Sequence, residues 1–353
     1  MMDSKNIPPR IDMHSHFIPP AYKTALEQTG HSRPDGMPAI PPWSPEAHLE
    51  MAATVNVTKS YLSISSPGTH FVPGDKALAR KVTREANEYA AELKRKQPEH
   101  FGYWASLCLP DVEGSLEELK YACDNLDPDG VVLETNAHGK YLGHPDFQPL
   151  FEELNRIKAV VFIHPTTPCM LTSHSGVGAA RQGDDCQTIS PLTQYPAPMM
   201  EFLFDTSRAI INMFMSGTIS KYPDITYIVP HCGGTLGPLV DRFSVFASLV
   251  PDANVDRNIT PDFVRSKLES KQFYFDMAGL AWPNQCKMIM PYTSAQRLLY
   301  GSDFPFTPVD KVEMLVKMMD KAMPETFASE KDLQDIYTNN AVELLKTKGW
   351  KSA

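Results

Sequence analysis

Ala159-Val160-Val161-Phe162-Ile163-His164-Pro165 is an apolar run closed by a histidine and a proline. A run of this length, rich in β-branched and aromatic residues and without polar alternation, reads as a strand buried on both faces, the mark of a parallel sheet. The polar residue at its end is then a side chain at the strand's C-terminal mouth, the active-site face of a parallel barrel. The same construction recurs in Ile225-Thr226-Tyr227-Ile228-Val229-Pro230-His231-Cys232-Gly233-Gly234 and in Leu298-Leu299-Tyr300-Gly301-Ser302-Asp303-Phe304-Pro305. Near the start, Asp12-Met13-His14-Ser15-His16 ends a shorter run with two imidazoles two positions apart. In an extended chain that spacing directs both rings to one side.

Working outward, eight runs predict strands over Arg10–His14, Ser60–Ser65, Tyr103–Leu109, Gly130–Thr135, Ala159–His164, Thr226–His231, Phe273–Ala278 and Arg297–Ser302. Helical patterns separate them: Asp75–Lys96, Gly114–Asp124, Asp146–Lys158, Asp205–Lys221, Gly237–Leu249, Asn284–Tyr292 and Val309–Ala322, with Ser329–Lys348 closing the chain. Strand-helix alternation with eight strands predicts a (β/α)8 TIM barrel, an α/β fold. All 353 residues are read as a single domain of this kind. Two connections, about 17–56 and 166–204, are too long for ordinary βα loops and are expected as Pro- and Gly-rich insertions at the C-terminal face, where specificity is built.

The chain is 42% hydrophobic and 21% charged, enough for a sizeable core, and its formal net charge of −9 offers no basic surface for nucleic acid. A small-molecule partner is expected. The first residues reach a strand without an apolar signal core and no run is long enough for a membrane helix, so a cytoplasmic protein with no membrane partner is expected. Six cysteines, at 108, 123, 169, 186, 232 and 286, form no C-x-x-C pair and are read as reduced thiols. Cys232 beside His231 reads as a small residue behind a functional histidine, since a nucleophile would need its own activating surroundings.

Counted by strand, His14 and His16 fall on the first, His164 on the fifth, His231 on the sixth and Asp303 on the eighth. Histidines and a carboxylate in such an array suit one Zn²⁺-type ion with a position left for water or substrate. A histidine ending a buried strand can also be a core residue bonded to backbone. Five polar strand ends in this order are not explained independently by core packing. His31, His70, His100, His138, His144 and His174 lie in loop-like or polar settings and receive no role.

The motifs Asp-x-His-x-His, His164-Pro165, His231-Cys232-Gly233-Gly234 and Gly301-Ser302-Asp303-Phe304-Pro305 resemble the amidohydrolase superfamily over nearly the whole chain. Within it they look like the branch of aminocarboxymuconate semialdehyde decarboxylase and the o-hydroxybenzoate decarboxylases. The resemblance implies that His14, His16, His164 and Asp303 bind one divalent metal, Zn²⁺ or Mn²⁺, and that His231 stands beside it as a catalytic group together with Asp303. It implies no bridging carbamylated lysine, and Val131-Val132-Leu133-Glu134-Thr135 on the fourth strand offers none. Arg242 matches a family arginine that reaches into a neighbouring subunit's active site, which implies a homodimer or a dimer of dimers. In the muconate enzymes a Trp-x-Pro-Glu-x-Arg segment supplies an arginine for a substrate carboxylate; here Trp43-Ser44-Pro45-Glu46-Ala47-His48 has histidine.

That departure, with Ser65-Ser66-Pro67-Gly68, is most similar to the fungal 6-methylsalicylate decarboxylases and implies a carboxy-lyase making 3-methylphenol and CO₂. Phe17, Trp43, His48, Phe204 and Trp282 are candidates to line the aromatic pocket, and each is equally readable as core. A metal-dependent hydrolase of a lactone or amide on the same fold, with His231 as general base, stays open. A non-catalytic metal-stabilised scaffold would be expected to lack one or more of the five strand-end residues, and all are present.

Overall fold

The computed structural model describes residues 8–171, 186–188, 192–249, 255–327 and 329–346. Its centre is an eight-stranded sheet of β1 (Arg10–His16), β2 (Val57–Ser63), β3 (Phe101–Ser106), β4 (Gly130–Glu134), β5 (Val160–His164), β6 (Thr226–Val229), β7 (Phe273–Asp276) and β8 (Leu298–Leu299). Neighbours pair in chain order and every pair is parallel. The ring closes beyond the two residues of β8: Met13 N–H donates to Tyr300 O at 3.0 Å, Asp303 N–H to His14 O at 2.8 Å and His16 N–H to Phe304 O at 2.7 Å. Gly301 sits on this seam, where a Cβ would stand 2.7 Å from the Cβ of His14. The fold is the expected (β/α)8 barrel.

Period-two alternation sorts the strand residues into two cores. Ile11, Met13, Tyr61, Trp104, Val132, Val160, Phe162, Ile228, Tyr274 and Leu299 fill the barrel interior, with Ala341 and Leu344 of the C-terminal helix joining them. Val161 and Ile163 belong to the second core, packed against the surrounding helices. Those helices are α1 (Pro20–Gln28), α2 (Pro45–Thr54), α3 (Lys76–Lys96), α4 (Val112–Asn125), α5 (Gln148–Arg156), α6 (Glu201–Met215), α7 (Val240–Leu249), α8 (Pro261–Glu269), α9 (Asn284–Ile289) and α10 (Val309–Thr326).

The 17–56 connection is no plain loop, because it carries α1 and α2. Ser44 Oγ accepts from Ala47 N–H at 3.1 Å, Pro45 takes the first turn and Glu46 follows it, so local capping starts a helix inside a Pro-rich stretch. The expected helix Asp205–Lys221 begins earlier, at Glu201, and ends at Met215; Gly217 at φ +79° separates it from a short turn at Thr218–Lys221. Helix α8, capped by Thr260, was not expected. In the second insertion Cys169–Leu171 pairs antiparallel with Cys186–Thr188. Cys169 is disulfide-bonded, which corrects the reading of six reduced thiols, whereas Cys108, Cys123, Cys232 and Cys286 are free. Among the described residues no helix is long and apolar enough to cross a membrane.

Candidate metal centre and active site

At the C-terminal mouth of the barrel the ends of β1, β5 and β8 bring their polar side chains together. On β1 the pairing with β2 slips between Asp12 and Ser15, a bulge that turns His14 and His16 inward although Ile11 and Met13 already point in below them. The His14 ring then packs on Phe162 inside the barrel, 4.8 Å between centroids. On β5, His164 follows inward-facing Phe162 by two positions and inherits its direction. The ligand atoms of His14, His16 and His164 lie within 4.8 Å of one another, all three residues buried. Asp303 Oδ1 is 3.2 Å from His16 Nε2 and 3.6 Å from His14 Nε2.

Hydrogen bonds on the far side of each ring determine what the near side presents. His14 Nδ1 is 3.0 Å from Asp276 Oδ2, which can only accept when ionised, so that nitrogen carries the proton. His16 Nδ1 lies 2.9 Å from Ser63 Oγ and 3.3 Å from Ser63 O; the hydroxyl donates to Ser15 O, so both oxygens accept from the ring and this nitrogen too carries the proton. His164 Nδ1 is 3.3 Å from Glu134 Oε2. In neutral rings the Nε2 atoms of His14 and His16 are therefore bare lone pairs, and they face each other at 3.2 Å. A proton shared by that pair would relieve one repulsion and leave His164 and Asp303 directed at the same point. A divalent cation relieves all of them, since ligands about 2.1 Å from one ion at angles between tetrahedral and square lie about 3.0–3.4 Å apart. The residues present fit such an ion.

The electrostatics agree with a ligand set. Burial lowers His16, and burial with neighbouring imidazoles drives His164 well below its usual range, which keeps both neutral. Burial also lowers His14, but Asp276, Asp303 and Asp12 together outweigh it and leave His14 more basic. Asp303 would be raised by burial, yet its bond to His16 and the surrounding imidazoles bring it down to about 2. A carboxylate behind a ligating histidine fixes its tautomer and strengthens it as a donor.

Asp276, Glu134, Ser63 and Asp12 are the supporting residues that the sequence reading did not single out. Asp276 also accepts the backbone N–H of His231 and of Ala278, both at 3.0 Å, and so holds one ligand and one cavity residue at once. Asp12 Oδ1 accepts from His14 N–H at 3.2 Å and Ser302 N–H at 3.0 Å, tying β1 to the strand that delivers Asp303.

The amidohydrolase family matches residues 11–347. The chain belongs to the amidohydrolase family. This amidohydrolase is 36% identical over 342 residues to decarboxylase macB of Penicillium terrestre, covering 95% of this chain and 94% of that one. It is also 36% identical over 310 residues to a 6-methylsalicylic acid decarboxylase of Penicillium expansum, covering 86% and 87% of the two chains. A solved 5-carboxyvanillate decarboxylase of Novosphingobium aromaticivorans, complexed with manganese and 4-hydroxy-3-methoxy-5-nitrobenzoic acid, superimposes with a TM-score of 0.77. At 20% identity over 96% of each chain, that likeness is one of fold.

Above the cluster opens a cavity of about 530 Å³ with His164, His231 and Asp303 at its polar end. His231 and Asp303 both have positive φ, +51° and +59°, which turns them off their strands toward this space. A Cβ added at Gly279 would stand 3.8 Å from Asp303 Oδ2 and 4.0 Å from His231 Nε2, so glycine leaves the polar end open between them. His231 Nδ1 is buried and has no hydrogen-bond partner among the described residues.

The residues expected to line an aromatic pocket stand elsewhere. Phe17 is buried against Trp43 and Tyr89. His48 is buried between Phe101 and Phe304, accepts from Trp43 Nε1 at 3.2 Å and is pushed down to about 3 by burial and then by His16. Trp282 packs on Phe327, and Phe204 is exposed. The aromatic walls are instead Phe202 and Phe306. Arg242 lies on the outside of α7 with its guanidinium over Phe246. Of the histidines given no role, His70 and His138 hydrogen-bond each other at 2.9 Å, His144 caps the turn at Asp146, and His174 lies outside the described residues.

Proposed function

We propose that this amidohydrolase is a metal-dependent, non-oxidative decarboxylase of an o-hydroxyaromatic acid, converting 6-methylsalicylate to 3-methylphenol and CO₂. The observation that carries the reading is the meeting of three buried imidazoles and Asp303 at the floor of a cavity whose walls are mostly apolar. His14, His16, His164 and Asp303 hold one divalent ion, with Zn²⁺ as the expected metal and Mn²⁺ as the alternative. When bound, the ion supplies positive charge against which a phenolate oxygen and the adjacent carboxylate are held together.

The reaction exchanges a carboxylate for a proton: a C–H bond forms at the ring carbon, the C–C bond breaks, its electron pair returns to the ring and CO₂ leaves. His231 and Asp303 Oδ2, which accepts from Thr307 Oγ1 at 3.4 Å, flank the polar end and orient the acid and hold the proton for that carbon. Incubating the purified protein with 6-methylsalicylate should release CO₂ and 3-methylphenol in equal amounts. Ring opening of a lactone or cleavage of an amide, without CO₂ from any hydroxybenzoate, would favour the hydrolase instead.

A homodimer belongs to the same proposal. Val245, Phe246 and Leu249 on α7 and Met288 on α9 are exposed apolar side chains around Arg242, a surface that a second copy would cover. If Arg242 reaches a partner's site, mixing His164→Ala with Arg242→Ala protein under subunit exchange should restore activity that neither has alone, because one of the two mixed sites has intact ligands and an intact arginine. Proven heterodimers without recovery would confine Arg242 to its own subunit. A cytoplasmic location is also proposed; the four free cysteines support it and the disulfide at Cys169 does not.

A further inference from the structure

The cavity is large for the acid just named. An apolar cavity of about 150 Å³ holds benzene, and pockets of about 300–1,000 Å³ surround ligands of several rings or a ring with a chain. At about 530 Å³ the space above the cluster is more than three times the benzene-sized cavity. Phe202 and Phe306 stand beside His164 and His16, 6.2 and 5.4 Å between ring centroids, and the wall also takes in Met37, Met199, Met314 and Leu315 together with the polar Asp35, Gln285 and Thr307. No arginine is among the lining residues, and the cation there, Lys311, is paired with Asp310 at 2.9 Å. Methionines at three of those wall positions offer a surface that adapts to a flexible apolar group without demanding one shape.

From this excess of space we infer that 6-methylsalicylate is the short member of the acids the site takes and that it favours o-hydroxyaromatic acids carrying an apolar substituent longer than a methyl group, the substituent lying along the Met37, Met199 and Met314 wall. The inference rests on the decarboxylase reading and adds the size of the substrate to it. Chelation through the hydroxyl and carboxyl leaves ring positions 4 and 5 directed away from the gripping edge, with position 6 beside the carboxyl, so a chain on 4 or 5 runs furthest into the cavity. Each methylene that leaves water there should raise kcat/KM about three- to fourfold, until the wall is used up.

The test uses the metal-loaded enzyme and salicylic acids bearing methyl, propyl and pentyl groups at position 4, 5 or 6. At one position at least, propyl should exceed methyl about tenfold or more in kcat/KM. Met314→Trp, which fills the outer wall, should bring the propyl-to-methyl ratio back toward one. Methyl as the best substituent at all three positions overturns the inference and leaves the decarboxylase standing. No CO₂ from any member of the series, 6-methylsalicylate included, removes the decarboxylase reading itself.

Discussion

His164→Ala is expected to take bound metal from about one ion per chain to none detectable, and turnover with it. The ring is the sole contribution of β5 to the cluster, and its loss leaves His14, His16 and Asp303 gathered on the β1 and β8 side. Three ligands confined to one flank close less of the coordination sphere than four around it. Glu134, which faces His164 Nδ1 from the other side, would also lose its partner while staying enclosed. The barrel should survive, because Val160, Val161, Phe162 and Ile163 beneath the site remain fully packed. Metal analysis, steady-state rates and far-ultraviolet circular dichroism on one preparation decide the matter. A folded variant that keeps a full equivalent of metal and a normal rate would show that His164 is not a ligand.

His231→Ala should behave in the opposite way toward the ion: metal content unchanged, kcat lower by about 10²-fold or more, the ordinary contribution of a positioned acid-base group. The residue sits at φ +51°, where alanine is strained, so His231→Asn is the companion variant, since asparagine tolerates that backbone region. Equal losses in both assign the effect to the imidazole. Recovery in the asparagine variant alone would assign it to backbone placement, and a wild-type kcat in both would make His231 structural.

The residues that meet at the cluster are those the sequence marks as polar endings of apolar runs, because a buried parallel strand has few other places for an imidazole or a carboxylate. The residues behind the cluster were harder to see. Asp276 lies inside the expected strand Phe273–Ala278, where it reads as an interruption; the usable signal was that a charge among Phe273, Tyr274 and Phe275 must have a buried partner. The bulge between Asp12 and Ser15 leaves no residue signature, yet it decides which way His14 and His16 face.

The pocket walls failed for a different reason. With the helix expected to start at Asp205, Phe204 read as a loop residue free to face the site. It starts at Glu201, and two positions on a helix are about 200° apart, so Phe202 faces the cavity and Phe204 faces out. Which side of an element a residue occupies depends on where the element begins. Single-residue boundaries are the least legible part of a sequence.

The seam of the barrel has a consequence for how the protein is made. His14 and His16 stand on the first strand and Asp303 just past the last, and backbone bonds from Met13, His16 and Asp303 join those two ends directly. A chain emerging from a ribosome holds two histidines almost at once, yet their carboxylate arrives only after some three hundred residues have been added. Tight capture of the ion is therefore a late event in synthesis, and a truncated product ending before Gly301 would be both an open barrel and a poor chelator. If these residues hold the ion as proposed, its capture would report that the barrel has closed as far as Asp303.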